Sequence, residues 1–192
     1  MTYLAFEAIG LDRIRTECSV SYLDHNLLYV DHKTPDDHIY LQSAAEHFGV
    51  HVSRPGNGIC HAVQVSRFGA PGKVSMGGDS HTPHGGSIGM LCIGVGGMDV
   101  ATAIMGTFAS AADILGDQID ILAEVHEKEE YEINDNLIIK PLPEEEAKKV
   151  EIVRGPNIKF LPVPEVPVQH LKVPVSLKGG DNISTDDITP AS

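Results

Sequence analysis

The sequence has few aromatic residues, at 5%, and no tryptophan. It also contains no apolar run of the roughly 20 residues that a membrane-spanning helix needs. Glycine and proline are generous instead, with 19 and 12 residues among 192. That composition is typical of a loop-rich globular protein and excludes a fibre or a coiled coil. The length fits one domain, or one domain with part of another.

Positive charge is also scarce, because 14 Lys and Arg residues stand against 27 Asp and Glu residues and give a formal net charge of −13. Such a field repels phosphate backbones and anionic lipid headgroups. We therefore expect no nucleic-acid partner and no membrane partner. Metal ions, cationic ligands and other proteins stay compatible with the composition.

Cysteine is the third scarce residue, with Cys18, Cys60 and Cys92 forming no CxxC pair and leaving an odd thiol. A disulfide framework is therefore not expected. The first residues, Met1 to Leu4, show neither the basic nor the apolar region of a secretory leader. These two features predict a protein of the reducing cytoplasm.

Short strand patterns alternate with helical patterns over the first hundred residues. Strands are predicted near residues 18–23, 50–53 and 73–76. One amphipathic helix is predicted to begin at Thr34 and Pro35 and to end at Phe48, and a glycine-diluted helix to run from Gly86 to about Met105. This alternation predicts an α/β fold with a mostly parallel sheet and flanking helices, in which ligands bind beyond the carboxyl ends of the strands.

The composition changes after Gly106, where acidic residues and then prolines become frequent. We therefore divide the chain into an α/β segment (1–106), an acidic connector (107–155) and a Pro-rich linker that leads into the start of another domain (156–192). A strand is predicted at residues 173–177, at a sheet edge because it contains a proline.

Three clusters of polar residues stand where predicted strands or loops end: Asp24-His25, His61, and Asp79-Ser80-His81. An imidazole oriented by a carboxylate is the usual arrangement for general acid and base catalysis near neutral pH. Side chains at neighbouring strand ends would surround one crevice. Each cluster taken alone is more typical of a surface turn, and the occurrence of three such clusters at strand ends favours the site.

These clusters are also compatible with a serine nucleophile or a metal site. Ser80 lacks a GxSxG elbow, and residues adjacent in sequence seldom face each other, so a serine nucleophile is not favoured. Metal binding by His61, Asp79 and His81 is chemically reasonable, but their spacing matches no short ligand motif, so we assign no metal ligands. A non-catalytic module that uses the His/Asp crevice for a divalent metal or a small acid is the alternative function.

Four stretches of the sequence resemble the aconitase superfamily in order and in spacing. They read YLDH at 22–25, RPGNGICH at 54–61, GDSHTP at 78–83 and IGVGG at 93–97. The superfamily includes aconitase, homoaconitase and isopropylmalate isomerase. The resemblance covers nearly all of residues 1–106, and a second block resembles the connector that leads into the family's swivel domain.

The resemblance implies a hydro-lyase that isomerises a hydroxy-tricarboxylate by dehydration and rehydration, with a four-iron four-sulfur cluster as the Lewis acid and a small di- or tricarboxylate as substrate. It also implies roles for six residues. Asp24 and His25 would assist departure of the hydroxyl, His61, Asp79 and His81 would surround the iron-bound water and the substrate, and Ser80 would contact the substrate.

The chain departs from the family pattern where the cluster would be held. The family uses three cysteine ligands, and none of Cys18, Cys60 and Cys92 stands in those contexts. The family's substrate-clamping arginines and its swivel-domain serine have no counterpart either. We therefore expect an internally shortened fragment, joined near residues 106–110, that binds no cluster and has no activity alone. Ligands supplied by a partner chain are the other possibility.

Loss of neighbouring elements would also leave apolar residues without cover. The residues expected to be exposed are Ile88, Met90, Leu91 and Ile93. Such edges associate with one another, so a homo-oligomer or a poorly soluble monomer is expected.

Overall fold

A computed structural model describes residues 1–106 and 134–161 of the chain. The α-helices in these residues are α1 (Thr2–Ile9), α2 (Lys33–Phe48), α3 (Cys60–Val63), α4 (Gly97–Ile104) and α5 (Glu144–Ala147). The strands are β1 (Val20–Tyr22), β2 (His51–Ser53), β3 (Val74–Gly77), β4 (Leu91–Gly94) and β5 (Ile138–Ile139). A π-helical turn, Gln64–Phe68, follows α3, and a 3-10 helix, Thr82–Ile88, precedes β4.

The described strands form two small sheets. Strands β1 and β2 are parallel, with Val20 opposite His51, and β5 pairs antiparallel with β2. Strands β3 and β4 form a separate parallel pair in which Val74 lies opposite Leu91. The predicted α/β class with mostly parallel pairing is confirmed. The clusters after β1 and β3 therefore approach each other from two sheets, not from one sheet edge.

Helix α2 supplies one wall of the main core. Its buried face consists of Tyr40, Ala44, Ala45 and Phe48. The small alanines let the helix lie close to β2, whose Val52 is fully buried. The helix begins at Lys33, slightly before the predicted Thr34, and ends as predicted before Gly49.

Helix α1, which the sequence analysis did not predict, covers the other side of this core. Phe6 is fully buried and meets Phe48 edge to face, with ring centroids 5.0 Å apart. Tyr3 stacks on the same ring at 6.0 Å. Two of the few aromatic side chains in the chain thus join α1 to α2.

The glycine-diluted helix predicted from Gly86 to Met105 is wrong. Gly89 has a φ of 77°, which ends the 3-10 helix, and β4 follows at Leu91–Gly94 before α4 begins at Gly97. The short run from Leu91 to Ile93 has the apolar character of a strand, and pairing with β3 satisfies its backbone. Of the four residues expected to be exposed, only Ile93 is exposed, at 42%. Met90 is buried, and Ile88 and Leu91 are half-buried.

Residues 134–161 pack against the first segment. Besides the β2–β5 pairing, Arg154 forms an ion pair with Glu7 of α1. His47 of α2 bonds the carbonyl of Val150 at 2.8 Å. The domain boundaries stay a prediction, and the strand expected at 173–177 lies outside the described residues.

Among the described residues, we find no helix that combines the length and the apolar character needed to cross a membrane.

Candidate functional site

The site is built from three loops that follow short elements. Asp24 and His25 come directly after β1, His61 lies in the first turn of α3, and the stretch from Asp79 to His81 links β3 to the 3-10 helix. Residues distant in sequence thereby meet in one place.

Asp24 and His25 form a hydrogen-bonded pair at this place. His25 Nδ1 donates to Asp24 Oδ1 at 3.0 Å, and the backbone N–H of Cys60 donates to Asp24 Oδ2 at 2.6 Å. Burial alone would raise the pKa of Asp24, but these hydrogen bonds outweigh it and hold the pKa below its ordinary value. The hydrogen bond to Asp24, with the negative charges of Asp24 and Asp79, raises the pKa of His25 above its ordinary value.

Asp79 is the centre of the site, because three imidazoles face its carboxylate. His61 Nε2 lies 3.3 Å from Oδ1, His81 Nδ1 lies 3.5 Å from Oδ1, and His25 Nε2 lies 4.0 Å from Oδ2. The backbone N–H of His81 donates to Oδ1 at 2.7 Å. This hydrogen bond, followed by the charges of the facing imidazoles, keeps the pKa of Asp79 below its ordinary value.

The side chain of His61 is more buried than that of His81, with 17% of it exposed against 79%. The loop before α3 turns through Gly56 and Gly58, whose φ values are 88° and 115°. Those backbone conformations favour glycine and bring the start of α3 against Asp24. The Cys60 thiol beside His61 is buried, which with the nearby carboxylates of Asp24 and Asp79 raises its pKa to about 12.

A cavity of about 340 Å³ opens beside the Asp24–His25 pair. It is lined by Asp24, His25, Leu27, Gly56, Gly58 and Ile59. Its size suits a small ligand. Ser80 lies at the rim of the cluster, with its hydroxyl 3.3 Å from His81 Nδ1.

The structure thus brings together all six residues that the sequence analysis selected, and their roles stay a prediction. The sequence analysis missed Cys60 and His84 as members of the cluster. Cys60 Sγ lies 3.5 Å from His61 Nε2, and the His84 ring lies 6.0 Å from the His61 ring. The adjacency of Cys60 and His61 was the available signal.

The chain's thiols do not fit a four-iron four-sulfur cluster. Such a cluster is anchored by several cysteine thiolates close together. The three cysteines lie on separate elements, since Cys18 precedes β1, Cys60 begins α3 and Cys92 is in β4. Among the described residues, the group that could hold a metal contains one thiol, Cys60, with His61 and Asp79.

A crevice of paired imidazoles and carboxylates on an α/β scaffold is an arrangement suited to acid–base chemistry. Comparison with known proteins identifies the family. The sequence model of the Aconitase family (aconitate hydratase) matches residues 12–114, more than half of the chain. The chain belongs to the aconitase family. This is a family of lyases of the tricarboxylic acid cycle that carry a four-iron four-sulfur cluster and act on small carboxylates.

Individual relatives agree with this assignment. The chain is 36% identical over 119 residues to the aconitase-ribosomal protein bL21m fusion protein of Schizosaccharomyces pombe, covering 56% of the chain and 13% of that relative. It is 35% identical over 117 residues to the mitochondrial homocitrate dehydratase of Saccharomyces cerevisiae, covering 56% and 15%. A probable mitochondrial aconitate hydratase of Caenorhabditis elegans is 47% identical over 60 residues, covering 31% and 8%.

Two facts follow from these relatives. The matched region spans well under a fifth of the length of each, so the chain corresponds to a small part of the relatives it matches. The expectation of a cytoplasmic protein is wrong, because similar proteins carry names that place them in mitochondria.

Proposed function

We propose that this chain carries the acid–base residues of an aconitase-family hydro-lyase, namely Asp24, His25, His61, Asp79 and His81. The substrate would be a small di- or tricarboxylate. The observation that carries the proposal is the Asp79 carboxylate, which faces His25, His61 and His81 from three separate loops. The mitochondrial names of the relatives favour the same compartment for this chain.

In this proposal His25 is the proton donor. Its pairing with Asp24 raises the pKa of the imidazole, so that a larger fraction is protonated near neutral pH, and two thirds of its side chain is open to the cavity side and solvent. Departure of a substrate hydroxyl needs such a donor. Asp79 and His81 would hold His61 toward the substrate, and the Ser80 hydroxyl would bind a substrate oxygen.

We also propose that the 192-residue chain has no hydro-lyase activity by itself. The cluster supplies Lewis-acid polarisation of the hydroxyl in this family. Because Cys18, Cys60 and Cys92 do not offer a set of neighbouring thiolates, the acid–base residues would have no polarised hydroxyl to act on. The domain division at residues 106 and 155 belongs to the same proposal.

A second candidate function is non-catalytic binding of a small acid in the His/Asp crevice. It is favoured by the cavity of about 340 Å³ beside His25. Protonated imidazole is the group that would pair with the acid's carboxylate. The net charge of −13 opposes it, so binding would be weak and salt-dependent.

To test the proposal, citrate is added to one sample of the chain. Formation of cis-aconitate is measured by its absorbance, and the histidine chemical shifts are measured by NMR. We expect no turnover, and signals of His25 and His61 that do not shift. His38, which lies in α2 and contacts the hydroxyl of Tyr29, is the control histidine. Turnover that His25→Ala abolishes and His38→Ala leaves unchanged would contradict the proposed inactivity. Shifts without turnover, lost in Asp79→Asn, would favour the binding function instead.

A further inference from the structure

We propose that Cys60, His61 and Asp79 form a binding site for a divalent transition metal of the zinc class. The three donor atoms, Cys60 Sγ, His61 Nε2 and one carboxylate oxygen of Asp79, all lie within 4.8 Å of one another. They come from two elements, the start of α3 and the loop after β3, which fold against each other. This inference goes beyond the hydro-lyase proposal and does not depend on it.

Two of the three separations between the donor atoms match a tetrahedral site. Zinc bonds of about 2.3 Å to sulfur and about 2.0–2.1 Å to nitrogen and oxygen place neighbouring tetrahedral ligands about 3.6 Å apart for S and N and about 3.3 Å apart for N and O. The observed separations are 3.5 Å for Cys60 Sγ to His61 Nε2 and 3.3 Å for His61 Nε2 to Asp79 Oδ1. The third pair, Cys60 Sγ and an Asp79 carboxylate oxygen, lies within 4.8 Å, so rotation of these side chains could complete the site.

Other groups hold these ligands in position. Asp24 accepts the backbone N–H of Cys60 at 2.6 Å, which fixes the first turn of α3. Asp79 accepts the backbone N–H of His81 at 2.7 Å, which orients its carboxylate. Partners of this kind orient ligands and strengthen metal binding. The surrounding carboxylates and the net charge of −13 also favour a cation.

The ligand types select the metal. One thiol, one imidazole and one carboxylate suit zinc or cobalt, whereas calcium and magnesium take oxygen ligands. Three protein ligands leave a fourth tetrahedral position for water or another small ligand. A bound metal would occupy His61 and Asp79 and so would compete with their proposed part in acid–base chemistry.

The test is a calorimetric titration of the tag-free, reduced chain with Zn²⁺, repeated with Ca²⁺, and an absorption spectrum with Co²⁺. We expect one Zn²⁺ per chain, no heat with Ca²⁺, and a Co²⁺ spectrum with the visible bands of a tetrahedral site and a thiolate charge-transfer band. The Cys60→Ser and Asp79→Asn variants should each weaken Zn²⁺ binding by about 100-fold or more, since even ligand-orienting partners are worth 10–100-fold.

Cys18→Ser is the matched control, because Cys18 is exposed and lies outside the cluster, and it should leave both affinity and spectrum unchanged. Circular dichroism checks that each variant is folded. Asp79, which is only partly buried, keeps the test valid if Cys60→Ser fails to fold. Absence of stoichiometric Zn²⁺ binding, or a Co²⁺ spectrum that survives in both ligand variants, would overturn the proposal. Loss of the spectrum in Cys18→Ser would overturn it as well.

Discussion

Asp24 links two parts of the site through its two carboxylate oxygens, one to His25 and one to the backbone of Cys60. Because its pKa is lowered on folding, its stabilising effect is present above the ordinary carboxyl pKa and is lost as the pH falls through the folded value. The pKa of His25 is raised, so its effect is present below the ordinary imidazole pKa and is lost as the pH rises through the folded value. The pair is therefore strongest at mildly acidic pH.

We predict that Asp24→Asn lowers the pKa of His25, because the neutral amide keeps the position and removes the charge that favours the imidazolium. An NMR titration of the His25 ring proton measures this. Asp31→Asn is the control, since Asp31 bonds the backbone N–H of Lys33 and has no contact with His25 among the described interactions. A His25 pKa that is unchanged in Asp24→Asn would contradict the pairing.

At the scale of single residues, sequence motifs selected residues that the structure places together, but they did not show which other residue folding brings beside them. Asp24, His25 and Asp79 stand in stretches whose composition points to acid–base work. The sequence shows that Cys60 is next to His61, but its closeness to Asp79 depends on how α3 approaches the loop after β3 and not on a short spacing. The role of each residue stays a prediction until it is measured.

Helix α2 ends at Phe48. The next residue, Gly49, has a positive φ of 80° that stops the helix and turns the chain toward β2. A Cβ at this position would lie 2.6 Å from Cζ of Arg13. Arg13 Nη2 donates to the carbonyl of Leu142 at 3.1 Å, so it also ties residues 134–161 to the rest of the chain. Gly10 has the same φ, and a Cβ there would meet nothing within 4 Å.

These two glycines give a matched test of the element ends. We predict that Gly10→Ala lowers the free energy of unfolding by about 1 kcal/mol, the cost of left-handed backbone alone. Gly49→Ala should cost about 2 kcal/mol or more, because it also displaces Arg13 from Leu142. Urea unfolding followed by circular dichroism measures both, and equal losses would contradict the role given to Arg13.

The elements were partly predictable from the sequence. Strands β1, β2 and β3 and the end of α2 were predicted because their β-rich runs and the Phe48-Gly49 stop are local signals. The region from Gly86 to Met105 was misread, since its apolar residues fit a helix as well as a strand, and only the pairing of β4 with β3 decides between them. Helix α1 was not predicted, because its apolar face is stabilised by packing against Phe48 of α2 and not by a local sequence signal.

For the whole molecule, the described surface combines a strongly acidic charge with one apolar loop. The loop residues Leu28 and Val30 are each 87% exposed, and Leu27 and Tyr29 are about half exposed. Ile93, the member of the expected apolar edge that is exposed, is open at 42%. Apolar side chains in such a row are a surface for association.

We predict that the chain self-associates at high concentration, and that Leu28→Ser with Val30→Ser shifts it toward the monomer. Ile93→Ser, which removes one less exposed side chain, should have a smaller effect. Multi-angle light scattering over a range of concentrations measures the mass. A wild-type chain that stays monomeric throughout would contradict the prediction.

The central proposal is that the chain carries acid–base residues of its family but cannot by itself hold the family's four-iron four-sulfur cluster. Iron and acid-labile sulfide per chain after anaerobic reconstitution, with cis-aconitate absorbance followed on the same sample, test it most directly. We predict no stoichiometric sulfide and no turnover. A full four-iron four-sulfur cluster on each chain with turnover would contradict the claim, because it would mean that Cys18, Cys60 and Cys92 hold a cluster from their separate elements.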